Sequence, residues 1–165
     1  MDKVVIILSL IFTLISCNSK EETSLKKINL KFTYSNSIKV NFNKNLIEID
    51  YVGVKIREKA YFSINEKNSI LDSYNSNMIS DFEGKEIYLF PDFHVVMPTS
   101  SDVIELNSNK KITMFNVNIN TKKASKYQSI LNFNNRIKEI LLNNKEFKNS
   151  LIKLDSLKKT IKSLH

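Results

Sequence analysis

The chain has 165 residues, enough for one domain with its own core, and a formal charge of +8. So basic a protein invites a nucleic-acid reading, but Arg57 and Arg136 are its only arginines, and base readout relies on arginine forks. Abundant Lys, Asn and Ile with scarce Ala, Gly and Pro has the look of AT-rich compositional drift, which argues against a nucleic-acid partner. Two glycines in the whole chain leave no room for a glycine-rich phosphate loop or a dinucleotide fingerprint.

The amino terminus reads as a leader. Met1-Asp2-Lys3 is a minimal basic start, and Val4 to Ile15 is apolar apart from Ser9 and Thr13. That length suits a signal peptide and is about a third short of a membrane-spanning helix. It ends in Leu14-Ile15-Ser16-Cys17, which contains the only cysteine of the chain. This tetrapeptide resembles the lipobox of bacterial lipoproteins: two apolar residues, a small residue, then cysteine. The resemblance implies a diacylglycerol thioether on Cys17, cleavage after Ser16 and acylation of the new amino terminus. About three acyl chains, each methylene contributing roughly 0.8 kcal/mol, would make attachment effectively permanent. Residues 1–16 are therefore expected to be removed, with 17–27 serving as lipidated cysteine and polar tether. Within that tether, Ser19-Lys20-Glu21-Glu22-Thr23 resembles the lysine-plus-two-acids signal that sends some Bacteroidota lipoproteins to the outer face of the outer membrane. The expected location is the outer membrane, by lipid anchor, on its periplasmic or cell-surface side. With Cys17 acylated, no thiol remains for disulfides, metals or catalysis.

Residues 28–165 read as one α+β domain. Ile28 to Tyr34 and Ile38 to Phe42 alternate apolar with polar, as half-buried antiparallel strands do. Leu46 to Tyr51 follows a tight turn at Lys44-Asn45; Gly53 suggests a bulge or kink, and a further strand is expected from Lys55 to Ile64. Ile70, Leu71, Tyr74 and Met78 then fall at helical spacing, with Asn65 and Glu66 suited to a helix start. Asp81-Phe82-Glu83-Gly84 reads as a turn. Strands follow at Glu86 to Phe90, Phe93 to Met97, Val103 to Leu106 and Lys111 to Ile119, with a turn at Asn107-Ser108-Asn109. The total is an antiparallel sheet of about six to eight strands.

From about Ser125 to Leu164 there is no Gly or Pro, and the pattern is helical. Ile130, Phe133, Ile137, Ile140 and Leu141 share one face; Phe147, Leu151, Leu154, Leu157, Ile161 and Leu164 share another, opposite a run of lysines. Asn143-Asn144 can end one helix and cap the next, although a single bent helix fits the same pattern. Two amphipathic helices packed on the sheet are expected.

Chemistry is thinly represented. Asp92 and His94 are two apart, on one face of an expected strand, and such a pair can orient an imidazole or share a metal ion. No third ligand or nucleophile stands at a recognised spacing, so no catalytic, metal or cofactor site is expected, and surface pairing is the simpler reading. Ser100-Ser101-Asp102 reads as a loop or helix start. Tyr51, Tyr61, Phe62, Tyr74, Tyr88, Phe90 and Phe93 are expected mainly in the core, with a peptide or sugar groove as the alternative. Acids dominate residues 66–105 and bases dominate from Asn107 onward. That asymmetry can be used within one molecule, between copies or toward anionic lipid, or it can mark two solvated faces. The expected function is a non-enzymatic envelope lipoprotein with a protein partner. Its alternatives are an immunity-type lipoprotein neutralising an incoming toxin and a hydrolase of envelope polymers.

Overall fold

The computed structural model describes residues 25, 27–91, 100–108 and 110–163. Seven strands form one sheet: β1 (Asn29–Tyr34), β2 (Ile38–Asn41), β3 (Leu46–Tyr51), β4 (Val54–Lys59), β5 (Glu86–Leu89), β6 (Ser101–Ser108) and β7 (Lys111–Asn118). Their spatial order is β4-β3-β2-β1-β6-β7-β5. Three α-helices complete the fold: α1 (Ile64–Ser76), α2 (Gln128–Asn143) and α3 (Lys145–Lys162).

Period-two alternation decides which side of the sheet is buried. Leu30 and Phe32, Ile38 and Val40, Ile47 and Ile49, Ile104 and Leu106, and Phe115 and Val117 all point to one face. Over them pack Ile70 of α1, Ile130, Phe133, Ile137 and Leu141 of α2, and Phe147 and Leu154 of α3. Aromatic contacts lock the layers: Tyr34 meets Phe147 edge-on at 5.4 Å, and Phe42 meets Phe62 at 4.8 Å. The described core runs from Leu25 to Leu154, so every residue of it lies after position 24.

The sheet is mixed rather than wholly antiparallel: β5 runs parallel to β7, with Ile87 beside Phe115 and Leu89 beside Val117. Alternation at Ile87 and Leu89 specifies their buried face but carries no information about strand direction, which depends on how the chain crosses to the sheet edge. Gly53 belongs to a two-residue hairpin turn, not a bulge. Val52 and Gly53 both have positive φ, 48° and 81°, the handedness that matches strand twist. Left-handed backbone costs a residue with a Cβ roughly 1–2 kcal/mol. β4 stops at Lys59, short of the expected Ile64, because Ser63 is recruited as a helix cap. The Glu66 N–H donates to Ser63 Oγ at 3.2 Å and the Ser63 N–H donates to Glu66 Oε2 at 2.6 Å, a reciprocal capping box. β6 extends through Ser108, so Asn107 and Ser108, expected in the turn, are instead paired with Ile112 and Lys111 of β7. The expected strand at Phe93 to Met97 lies outside the described residues.

One asparagine divides the carboxy-terminal helices. Asn144 adopts extended backbone, φ −75° and ψ 132°. Its N–H donates to Ile140 O at 3.1 Å, ending α2, while its Oδ1 accepts the Phe147 N–H at 3.0 Å, starting α3. Its amide nitrogen also donates to Tyr61 O at 2.9 Å, tying the break to the segment after β4. Asn144→Ala removes an N-cap and strands a carbonyl in a site that is only 6% exposed; it should cost about 2 kcal/mol. Urea unfolding followed by circular dichroism should show the midpoint fall with the slope unchanged.

Candidate functional site: an uncovered sheet face

The three helices cover one face of the sheet, and the residues of opposite parity form the other. Across five strands that second face is polar and strongly charged. Lys31 on β1 bonds Glu105 on β6 at 2.5 Å, Lys39 on β2 bonds Asp50 on β3 at 3.0 Å, and Arg57 on β4 bonds Glu48 on β3. The pairs follow from register: Lys31 lies opposite Glu105, Glu48 opposite Arg57, and Asp50 one step diagonal from Lys39. The centre of this face holds a groove of about 350 Å³ whose walls include Lys31, Thr33, Lys39, Asn41, Glu48 and Glu105. Exposed pairs of this type contribute about 0–1 kcal/mol each and weaken with salt. They do little to hold the fold. They present an ordered pattern of alternating charge to whatever lies above the sheet.

At the far end of the same face, beside β5, Tyr88 and Phe90 stand exposed with parallel rings 6.3 Å apart. The Tyr88 hydroxyl donates to Glu86 Oε1 at 2.5 Å, and that bond to a carboxylate pushes the phenol above its ordinary value. The other aromatics are dispersed: Phe62 is buried, Tyr74 packs against Phe133 in the helical layer, and Tyr61 is 71% exposed. They do not converge on a groove, and Phe93 lies outside the described residues.

Asp102 corrects an expectation. Far from starting a loop or helix, Ser101 and Asp102 open β6, and Asp102 is completely buried on the helical side. Its Oδ1 accepts the Ser35 N–H at 3.0 Å, while its Oδ2 takes Lys138 Nζ of α2 at 2.8 Å and Asn134 Nδ2 at 3.4 Å. Lys138 also sits 5.6 Å from the centre of the Tyr34 ring, a cation–π contact. One carboxylate thus ties the β1–β2 turn, β6 and α2 together. The signal was present in the sequence, because Asp102 shares strand parity with Ile104 and Leu106. A second contact of the same kind joins Lys111 to Glu83 at 3.7 Å. In both, an acid of the middle segment meets a base of the carboxy-terminal part, so some of the charge asymmetry is used inside the molecule.

Cys17, Asp92 and His94 all lie outside the described residues. Among the described residues, no group of three or more His, Cys, Asp or Glu side chains could hold a metal ion, and no helix is long and apolar enough to cross a membrane. Two smaller hollows lie at helix junctions. One is beside Met78, Asp81 and Gln128. In the other, Arg136 donates to Ser69 Oγ at 2.6 Å and to Glu139 Oε2 at 2.6 Å. No family model matches the chain, and no curated protein or solved structure matches it.

Two measurements test these assignments. Asp102→Ala strips a buried N–H and a lysine of their shared carboxylate and should lower stability by about 3 kcal/mol, seen as a large drop in urea midpoint. Asp50 is held below the ordinary carboxylate range chiefly by its hydrogen bond to Lys39. A depressed folded-state value means that this pair supports folding above the unfolded carboxylate range. That support is lost as pH falls through the folded value. Lys39→Met should therefore move the Asp50 titration upward, read from its carboxyl carbon chemical shift.

Proposed function

We propose that this chain is a lipid-anchored protein of the bacterial outer membrane that binds a protein partner on its uncovered sheet face and catalyses no reaction on it. The anchor is supported by Leu14-Ile15-Ser16-Cys17 and the charged tether behind it. The binding role is supported by one observation above all: a face spanning five strands carries ordered, alternating charge that the fold does not need. Such a face suits a partner of complementary pattern, because charge complementarity speeds encounter and excludes mismatched surfaces. Catalysis finds no comparable support, since the buried carboxylate Asp102 is occupied by Lys138, Asn134 and the Ser35 amide.

The test has two arms. In cells fed a tagged fatty acid, the parent chain should take up label and sediment with membranes, while Cys17→Ser should do neither. A parent chain that remains unlabelled overturns the anchor. For the second arm, the chain starting at Asn18 is immobilised and exposed to solubilised envelope and secreted fractions. It should retain one protein in near-stoichiometric amount, and Glu48→Lys with Glu105→Lys should weaken that retention by about tenfold or more. Retention indifferent to those substitutions overturns the assignment of the face, and turnover of an envelope polymer overturns the non-enzymatic reading.

A further inference from the structure

Among the described residues, six non-glycine positions have positive φ: Ser35, Asn36, Asn45, Val52, Met78 and Lys110. Val52 is the one with a β-branched side chain, the class for which such backbone is least tolerable. Asn is the residue usually found where Val52 stands, at the first position of a two-residue hairpin turn ending in Gly. Packing does not explain the choice. Val52 is 69% exposed, Val54 is 38% exposed, and the space around Gly53 is open. Strain held without any return in burial marks a position kept for something outside the fold.

The surroundings of the tip are basic. Lys158 of α3 places its ammonium 5.9 Å from the centre of the Tyr51 ring, at the base of the hairpin. Lys162 stands one helical turn further on the same side, next to Lys159 in the last turn of α3. Lys55 flanks the tip from the other strand. The nearby acids are Asp50, bonded to Lys39, and Asp155, one turn before Lys158. Two exposed valines ringed by lysines form a small apolar point with a positive collar.

We propose that the β3–β4 hairpin tip, Val52 and Val54 with Lys55, Lys158 and Lys162 around them, inserts into the headgroup region of an anionic lipid surface. This rests on the reading of the chain as an envelope protein and adds an orientation to it. The footprint decides between lipid and protein. Two valine side chains are far too small to form a stable protein interface, which buries about 800 Å² on each partner. Shallow insertion needs little apolar area when lysines add attraction to anionic headgroups. Chain length permits it as well. β1 starts at the end of the sheet opposite the tip, as the register shows. A six-residue strand spans about 20 Å, and the 7 residues from Asn18 to Ser24, ahead of the buried Leu25, reach roughly 23–25 Å. A chain held at Cys17 can therefore rest its tip on the same membrane, leaving the charged sheet face accessible from the side.

The protein has no tryptophan, so one introduced residue reports on its own surroundings. In the chain starting at Asn18, Val54→Trp fluorescence should move to shorter wavelength with phosphatidylglycerol vesicles and stay put with phosphatidylcholine vesicles. Tyr61→Trp, at the opposite end of the sheet, should not respond to either. Adding Lys158→Glu and Lys162→Glu should weaken vesicle binding by about tenfold or more. Val52→Asn should also weaken binding while raising Tm by about 2–4 °C, a combination that loss of folding cannot produce. No shift with phosphatidylglycerol overturns the proposal and reassigns the tip to a protein contact; an equal shift at position 61 overturns it as non-specific adsorption. The assay contains neither leader nor acyl chain, so its outcome is independent of whether Cys17 is lipidated.

Discussion

A seven-stranded sheet has two faces and this chain has helices for one. Phe32, Phe42, Phe115, Phe133 and Phe147 are all fully buried in the single layer between sheet and helices, where close packing makes each aromatic ring a constraint on its neighbours. No disulfide is open to a chain with one cysteine, so this layer carries the stability of the domain. Its geometry also sets the helices: α2 and α3 lie where their apolar faces meet β7 and β3. Among the described residues, no element covers the charged ladder on the reverse face. An antiparallel sheet tolerates that arrangement when its outward positions are polar.

Against that background the buried Asp102 is costly and informative. A carboxylate removed from water must be matched by donors and opposite charge, and here three elements supply them. The contact is made where β6 begins, at the same end of the sheet as the β1–β2 turn, and it fixes how α2 lies across that end. Apolar packing specifies distance between layers far better than it specifies lateral position, so a bonded ion pair at the margin of the core selects one placement from several that bury similar area. Asn144 has an equivalent role at the junction of α2 and α3, where its side chain and backbone make three bonds in different directions.

Stability and display are separated in this molecule. The groups that chiefly hold the fold are on the helical side; Lys31, Lys39, Glu48, Arg57 and Glu105 on the open face contribute at most about 1 kcal/mol per pair, and Val52 at the hairpin tip is exposed. The two surfaces have different character. One is broad, polar and patterned, suited to recognition by complementary charge. The other is a small apolar point with a lysine collar, suited to a surface that needs no shape match.

Alternation at Leu30 and Phe32, at Ile38 and Val40, and at Phe115 and Val117 is enough to place strands and their buried faces, because a pleated strand repeats every two residues. The stripe from Ile130 to Leu141 places a helix for the same kind of reason, with a period near 3.6. The α+β class is legible from local pattern. Local pattern says nothing of direction or partner. It does not show that β5 lies parallel to β7, that Asp102 is enclosed by Ser35, Asn134 and Lys138, that Asn144, readable as a helix break, also bonds Tyr61 O, or that Val52 and Gly53 make a strained hairpin tip beside Lys158. Each of these depends on residues far apart in the chain arriving at one place, and the free energy that decides them is that of assembled layers. The sequence by itself determined which residues are apolar, on what period, and so which face of each strand is buried; the tertiary structure alone decided the order and direction of the strands and which side chains enclose Asp102, because those depend on how distant segments of the chain pack together.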